Sequence, residues 1–135
     1  MLVPVASARD ADRTWSIAQV AAEFGVTHRT VRHYEDLGLI SPERHGTRRV
    51  FHRRDRTRLA LILRGKRLGF PLEEIRTIID LYDAPRGKTS QLEYAIAQAR
   101  IRRVDLEERR RDIDESLAEL AAFEASCQAD LDRLR

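Results

Sequence analysis

The side chains with the greatest chemical reach in this sequence are guanidiniums and imidazoles, and they cluster. His28, Arg29, Arg32 and His33 fall in one short stretch, and Arg44, Arg48 and Arg49 in the next. Planar guanidinium forks grip phosphates and base edges bidentately, so several of them held on one surface suit a polyanion. The distribution of charge points the same way: residues 1–70 carry 14 Lys+Arg against 7 Asp+Glu, whereas residues 71–135 carry 11 against 15. A concentrated positive surface gains affinity for nucleic acid by releasing counterions. Charge alone does not separate that reading from a solvated basic surface.

Other chemistry is missing. Cys127 is the one cysteine, which excludes a disulfide or a cysteine-based zinc cluster within the chain and suits a reducing, cytoplasmic setting. The four histidines, His28, His33, His45 and His52, lie in the basic half with no carboxylate or thiol at ligand spacing, so they are expected to be surface or DNA-adjacent groups. There is no nucleophile elbow or phosphate loop, and the later acidic residues alternate with arginines as on a solvated helix face. Neither catalysis, nor a metal, nor a cofactor is expected. No apolar run approaches the roughly 18 residues of a membrane span, and residues 1–13 read as a loose tail rather than a leader peptide.

Two short helices must present the first cluster. Ser16 and Gln19 have capping-box spacing, and Ile17, Val20, Ala21 and Phe24 recur at helical intervals, predicting a helix over about 17–24. Gly25 supplies a left-handed stop, Thr27 an N-cap for a second helix with Val31 inward, and Gly38 its end. The result is a helix-turn-helix with small Ala21 at the corner, and His28, Arg29, Arg32 and His33 project away from Val31. The segment SPERHGTRRVFHRRD then reads as a small hairpin, a wing, with a β-prone piece at 49–52 and Arg44, Arg48 and Arg49 near its tip. Such a wing can lie along a DNA groove. Leu59, Ile62, Leu63 and Leu68 define a third helix ending at Gly69; Leu72, Ile75, Ile78, Ile79 and Tyr82 define a fourth ending before Pro85.

Residues 84–90 have the composition of a linker. Beyond them Leu92, Ala99, Leu106, Ile113, Leu120, Cys127 and Leu134 are spaced by seven, with Ile96, Arg103, Arg110, Leu117, Glu124 and Leu131 at the companion position. This coiled-coil periodicity runs through 92–134 without Gly or Pro, a helix roughly 64 Å long at about 1.5 Å per residue. Nothing else in the chain can cover its stripe, so a second copy is the expected partner, held through Leu92, Ile96, Ala99, Leu106, Ile113, Leu117, Leu120 and Cys127. The predicted organisation is a tail at 1–13, a DNA-binding head at 14–83, a linker at 84–90 and a dimerising helix at 91–135.

Together THRTVRHYEDLGLI at 27–40, the Gly46 to Phe51 wing and KRLGFPLEEI at 66–75 resemble the MerR family of bacterial regulators, over about residues 14–83 in register. The resemblance implies a mainly α fold: a winged helix-turn-helix, two further helices, and a dimer joined by an antiparallel coiled coil. It implies double-stranded DNA as partner, with the dimer bending and untwisting an overlong promoter spacer so that RNA polymerase is influenced through the DNA; some relatives repress. By this match Arg29, Thr30, Arg32, His33 and Tyr34 fall on the DNA-facing helix and Arg49 on the wing arginine. For Tyr34 a core-edge ring is the competing reading.

The sequence departs from the family pattern in places. The wing is one residue longer than the common form, Phe51 stands where tyrosine is usual, and Pro71 replaces a frequent capping serine, a loss of about 1 kcal/mol partly offset by Glu73 and Glu74 against the helix dipole. Metal-sensing relatives carry paired cysteines, whereas Cys127 stands alone; in an antiparallel pair it opposes Ala99 of the other copy, a small seam residue far from its own counterpart, with a redox role as the alternative. The stretch LILRGKRLGFPLEEIRTIIDLYD is similar to the LiuR-type branch linked to branched-chain amino acid and acyl-CoA catabolism. No residues define an effector pocket; a small molecule is expected at the coil, at its junction with the linker, or not at all. Two other classes remain at this point: a protein-interaction adaptor of chaperone-modulator type, which has no need of Arg29 and Arg32 outside, and an architectural protein that bends DNA without controlling a promoter.

Overall fold

The computed structural model describes residues 13–81, 83 and 87–135. Helix α1 spans Ile17–Phe24, α2 His28–Asp36, strand β1 Glu43–His45, β2 Arg48–Val50, α3 Arg53–Arg67, α4 Leu72–Leu81 and α5 Gly87–Leu134. The architecture is the expected one: mainly α, a helix-turn-helix with a hairpin wing, and a long C-terminal helix. Residues 1–12, Tyr82 and Pro85, on which the tail and the end of the fourth helix were placed, lie outside the described residues.

The chain forms two compact units, one through Ala95 and one from Ile96. The core of the first joins Val20 and Ala21 of α1, Val31 and Tyr34 of α2, Leu39 and Ile40 of the following corner, Leu59, Leu61 and Ile62 of α3, and Ile75 and Ile79 of α4. Two buried aromatics complete it. Trp15 and Phe51 form an isolated antiparallel bridge, each N–H donating to the other's carbonyl at 2.9 Å, which ties the base of the wing to the chain preceding α1. The Phe51 ring is fully buried, which accounts for its lack of a hydroxyl.

The strand ladder ends at Val50, short of the predicted 52, because His52 already caps α3: its N–H donates to the Asp55 carboxylate at 2.9 Å. Helix α3 therefore starts well before Leu59, and Leu68 lies past its end, half exposed. Helix α4 begins with Ile75 N–H donating to the Pro71 carbonyl at 3.1 Å, and Glu73 and Glu74 occupy its first turn.

A buried arginine joins these parts. Arg58 of α3 is 8% exposed; its Nε donates to Leu39 O at 2.8 Å, and Nη1 to Ile79 O at 3.3 Å and to Asp83 Oδ2 at 2.9 Å. Its Nη2 reaches Asp80 Oδ1 at 3.3 Å. Where α3 meets α4, Gly65 allows the close approach: a Cβ there would stand 2.8 Å from Ile75 Cγ1. Ile75 is fully buried, so Gly65→Ala, although it favours the helix by about 1 kcal/mol, should destabilise the head by a net of roughly 1 to 2 kcal/mol through overpacking. Urea unfolding of the variant reads that difference.

The helical segment Gly87 to Ser90 takes the place of part of the expected linker, because Gln91 is buried and its Nε2 donates to Ile78 O at 2.9 Å, fixing the first turns of α5 on α4. From Ile96 onward α5 is almost wholly exposed, including Ile96, Leu106, Ile113, Leu117 and Leu120. Pairs such as Arg109–Asp105 at 3.2 Å support it along its surface. No helix among the described residues is long and apolar enough to cross a membrane.

Candidate nucleic-acid interface

Local chemistry sets the first helical corner. The Ser16 side chain accepts from Gln19 N–H at 3.1 Å while Ser16 N–H donates to Gln19 Oε1 at 2.8 Å, so the capping box starts α1. Gly25 at φ 65° stops it, and Val26 N–H returns to Ala21 O at 3.0 Å. Thr27 then caps α2, its hydroxyl accepting from Thr30 N–H at 3.1 Å.

With Val31 and Tyr34 turned into the core, helical periodicity forces His28, Arg29, Arg32 and His33 outward, and all four are exposed. Among the described residues Arg29 and Arg32 have no ion-pair or hydrogen-bond partner. Thr30 is half-buried and its hydroxyl lies 3.0 Å from that of Thr27, so capping occupies it. Tyr34 is 6% exposed, a core ring beside His33, and burial pushes its phenol above the usual range.

The wing is a three-pair ladder, Glu43↔Val50, Arg44↔Arg49 and His45↔Arg48, closed by Gly46 and Thr47. Only Arg48 of its three arginines flanks the turn. Arg44 and Arg49 sit one pair further back and share a partner that the sequence reading missed. Glu35, near the end of α2, accepts from Arg44 Nε at 3.2 Å and Nη2 at 2.7 Å through Oε1, and from Arg49 Nε at 2.5 Å through Oε2. Desolvation raises the Glu35 pKa, but the hydrogen bonds and charges of both arginines outweigh it and hold the carboxyl below its ordinary value. Glu35 is therefore ionised at neutral pH.

A second carboxylate corrects the expectation for the histidines. Glu43 lies between two of them, Oε2 at 2.7 Å from His52 Nε2 and Oε1 at 3.2 Å from His45 Nε2. The hydrogen bond from His52 and then the His45 charge lower its pKa. Glu43 and His45 are two apart on one strand and so share a face, a signal present in the sequence; His52 joins them only through the turn into α3. Among the described residues no group of histidines, cysteines and carboxylates is arranged to hold a metal ion.

Arg56 is engaged elsewhere, stacked on Trp15 at 5.3 Å and paired with Glu23. The predicted seam residues Leu92, Ile96, Ala99, Leu106, Ile113, Leu117, Leu120 and Cys127 are all exposed on α5. The surface that remains available to a polyanion thus joins the outer face of α2 to a wing fixed to it by one carboxylate.

Residues 15–81 match the family of MerR HTH regulatory proteins, and residues 56–123 the family described as MerR, DNA binding. The HTH-type transcriptional regulator HmrR of Rhizobium leguminosarum bv. viciae is 34% identical over 91 residues, covering 67% of this chain and 70% of that protein. The HTH-type transcriptional activator TipA of Streptomyces coelicolor is 36% identical over 103 residues, covering 64% of this chain; the chain spans 41% of TipA's length. A solved MerR-family regulator from Bacillus cereus superposes with a TM-score of 0.62 at 28% identity, covering 78% of this chain and 76% of that one.

Proposed function

Because this chain belongs to the MerR family of helix-turn-helix regulatory proteins, we propose that it works as a homodimer that recognises a pseudo-palindromic promoter and acts by deforming the spacer between its half-sites. The observation that carries this reading is the exposed face of α2, where Arg29 and Arg32 have no partner among the described residues, beside a wing carrying Arg44, Arg48 and Arg49. An adaptor that docks on protein needs no such outward guanidiniums at Arg29 and Arg32. The family is one of regulators rather than enzymes.

In this reading Arg32 and Arg29 reach base edges or phosphates in the major groove, His33 contributes from the same face, and Arg48 follows the backbone from the wing tip. Thr30 and Tyr34 serve from within, one capping α2 and the other packing it. The head, residues 14–83, is followed by the dimerising helix α5, whose first turns are held on α4 through Gln91, and two copies pair antiparallel through the α5 stripe. RNA polymerase is reached through the promoter DNA, in the cytoplasm. We place the regulated genes in catabolism of branched-chain amino acids or acyl-CoA on the strength of the LILRGKRLGFPLEEIRTIIDLYD stretch alone.

Selecting the preferred duplex from a random pool and titrating it against the Arg32→Ala variant tests the residue assignment. Specific affinity should fall by about 1 to 3 kcal/mol with relaxed preference at one position of each half-site. Unchanged affinity removes Arg32 from the interface.

A further inference from the structure

We infer that Glu35 is a positioning residue, a clamp that holds the wing in register with α2 and turns the Arg44 and Arg49 guanidiniums into a preformed phosphate grip. The inference rests on the DNA-binding reading and adds a residue that touches no DNA itself.

The geometry supports it in three steps. The wing is only three residue pairs long, and a short two-stranded hairpin does not hold its own orientation in water. One carboxylate from α2 spans both strands, because Arg44 and Arg49 are direct cross-strand partners and each reaches a different oxygen of Glu35. The contact is shielded as well: the Glu35 and Arg49 side chains are 13% and 17% exposed, so solvent screens this pair less than an ordinary surface bridge.

The donors used decide between a clamp and a competitor. Arg49 spends its Nε on Glu35, and its two terminal nitrogens have no partner among the described residues; Arg44 keeps Nη1. Guanidinium carries donors on more than one edge, so one edge can hold a carboxylate while another takes a phosphate oxygen. Glu35 thus fixes both arginines without consuming them, and the ordering that DNA would otherwise have to impose on the wing is already complete in the free protein.

The experiment compares wild-type protein with Glu35→Gln, an isosteric change that removes the charge. Each is titrated against the selected duplex and a random-sequence duplex, alone and in an Arg44→Ala/Arg49→Ala background. Glu35→Gln should weaken binding to the selected duplex by roughly tenfold, leave the random duplex bound as well or better, and cause no further loss in the double-arginine background. In the free protein, the Arg49 Nε–H resonance should move and exchange faster with water. Tighter binding to both duplexes would show that Glu35 is a brake, and an equal loss on both with a fall in Tm would show a general structural role; either overturns the inference. If wild-type protein prefers no duplex, the DNA-binding reading fails, while an unaltered Arg49 resonance in the variant refutes the clamp itself.

Discussion

Arg58→Ala should destabilise the head by about 3 to 5 kcal/mol, enough to unfold much of it at physiological temperature. The reason is the number of groups one guanidinium serves. It lies inside the core and donates to two backbone carbonyls, Leu39 O after α2 and Ile79 O in α4, as well as to Asp83 and Asp80. Truncation leaves buried carbonyls without a donor and opens a cavity between α3 and α4, and both losses act in the same direction. Arg58→Lys should recover only part of the stability, because an ammonium is a point donor and cannot reproduce the fork. Chemical denaturation followed by Trp15 fluorescence measures this, since Trp15 is buried in the same core. A loss below about 1 kcal/mol, the size of an exposed ion pair, would show that the network contributes little.

The second large effect is expected in α5. On the proposed pairing of two copies through α5, Leu106→Lys combined with Ile113→Lys should leave a monomer and lower affinity for a two-half-site duplex by roughly a hundredfold or more. Both residues stand exposed on consecutive heptads of α5, on one apolar stripe with Leu92, Leu120 and Leu134. A second copy covering that stripe would have to bury two ammonium groups per chain, at a cost of several kcal/mol. Binding by one head then loses the high effective concentration that linkage to a second head supplies. Sedimentation shows the change of mass, and the far-ultraviolet spectrum should show α5 partly unwound, since a long amphipathic helix relies on packing of its apolar face. Retained dimers would place the interface elsewhere.

The parts of this fold legible in the sequence are those set by local chemistry. Ser16 with Gln19, Gly25 and Thr27 fix α1 and α2 within a few bonds of themselves, and the seven-residue spacing from Leu92 marks α5 without reference to any other segment. The outward face of α2 follows from Val31 by helix geometry alone. What escaped was tertiary. Glu35 lies nine residues from Arg44 and fourteen from Arg49, and its pairing exists only once the wing folds back onto α2. Arg58 resembles any other cation in a basic stretch until four acceptors surround it. Trp15 and Phe51 meet across more than thirty residues, so no window of periodicity contains both. The hairpin itself is legible from Gly46, but a turn signal does not say which cross-strand pair faces the helix, so the sequence does not separate Arg48 at the tip from Arg44 and Arg49 behind it.

Native mass spectrometry reads the stoichiometry on DNA, with a selected duplex containing both half-sites and with duplexes containing one. Two copies should bind together on the full site, with each single half-site held far more weakly. One copy per duplex, or equal affinity for full, half and scrambled sites at moderate ionic strength, would contradict it.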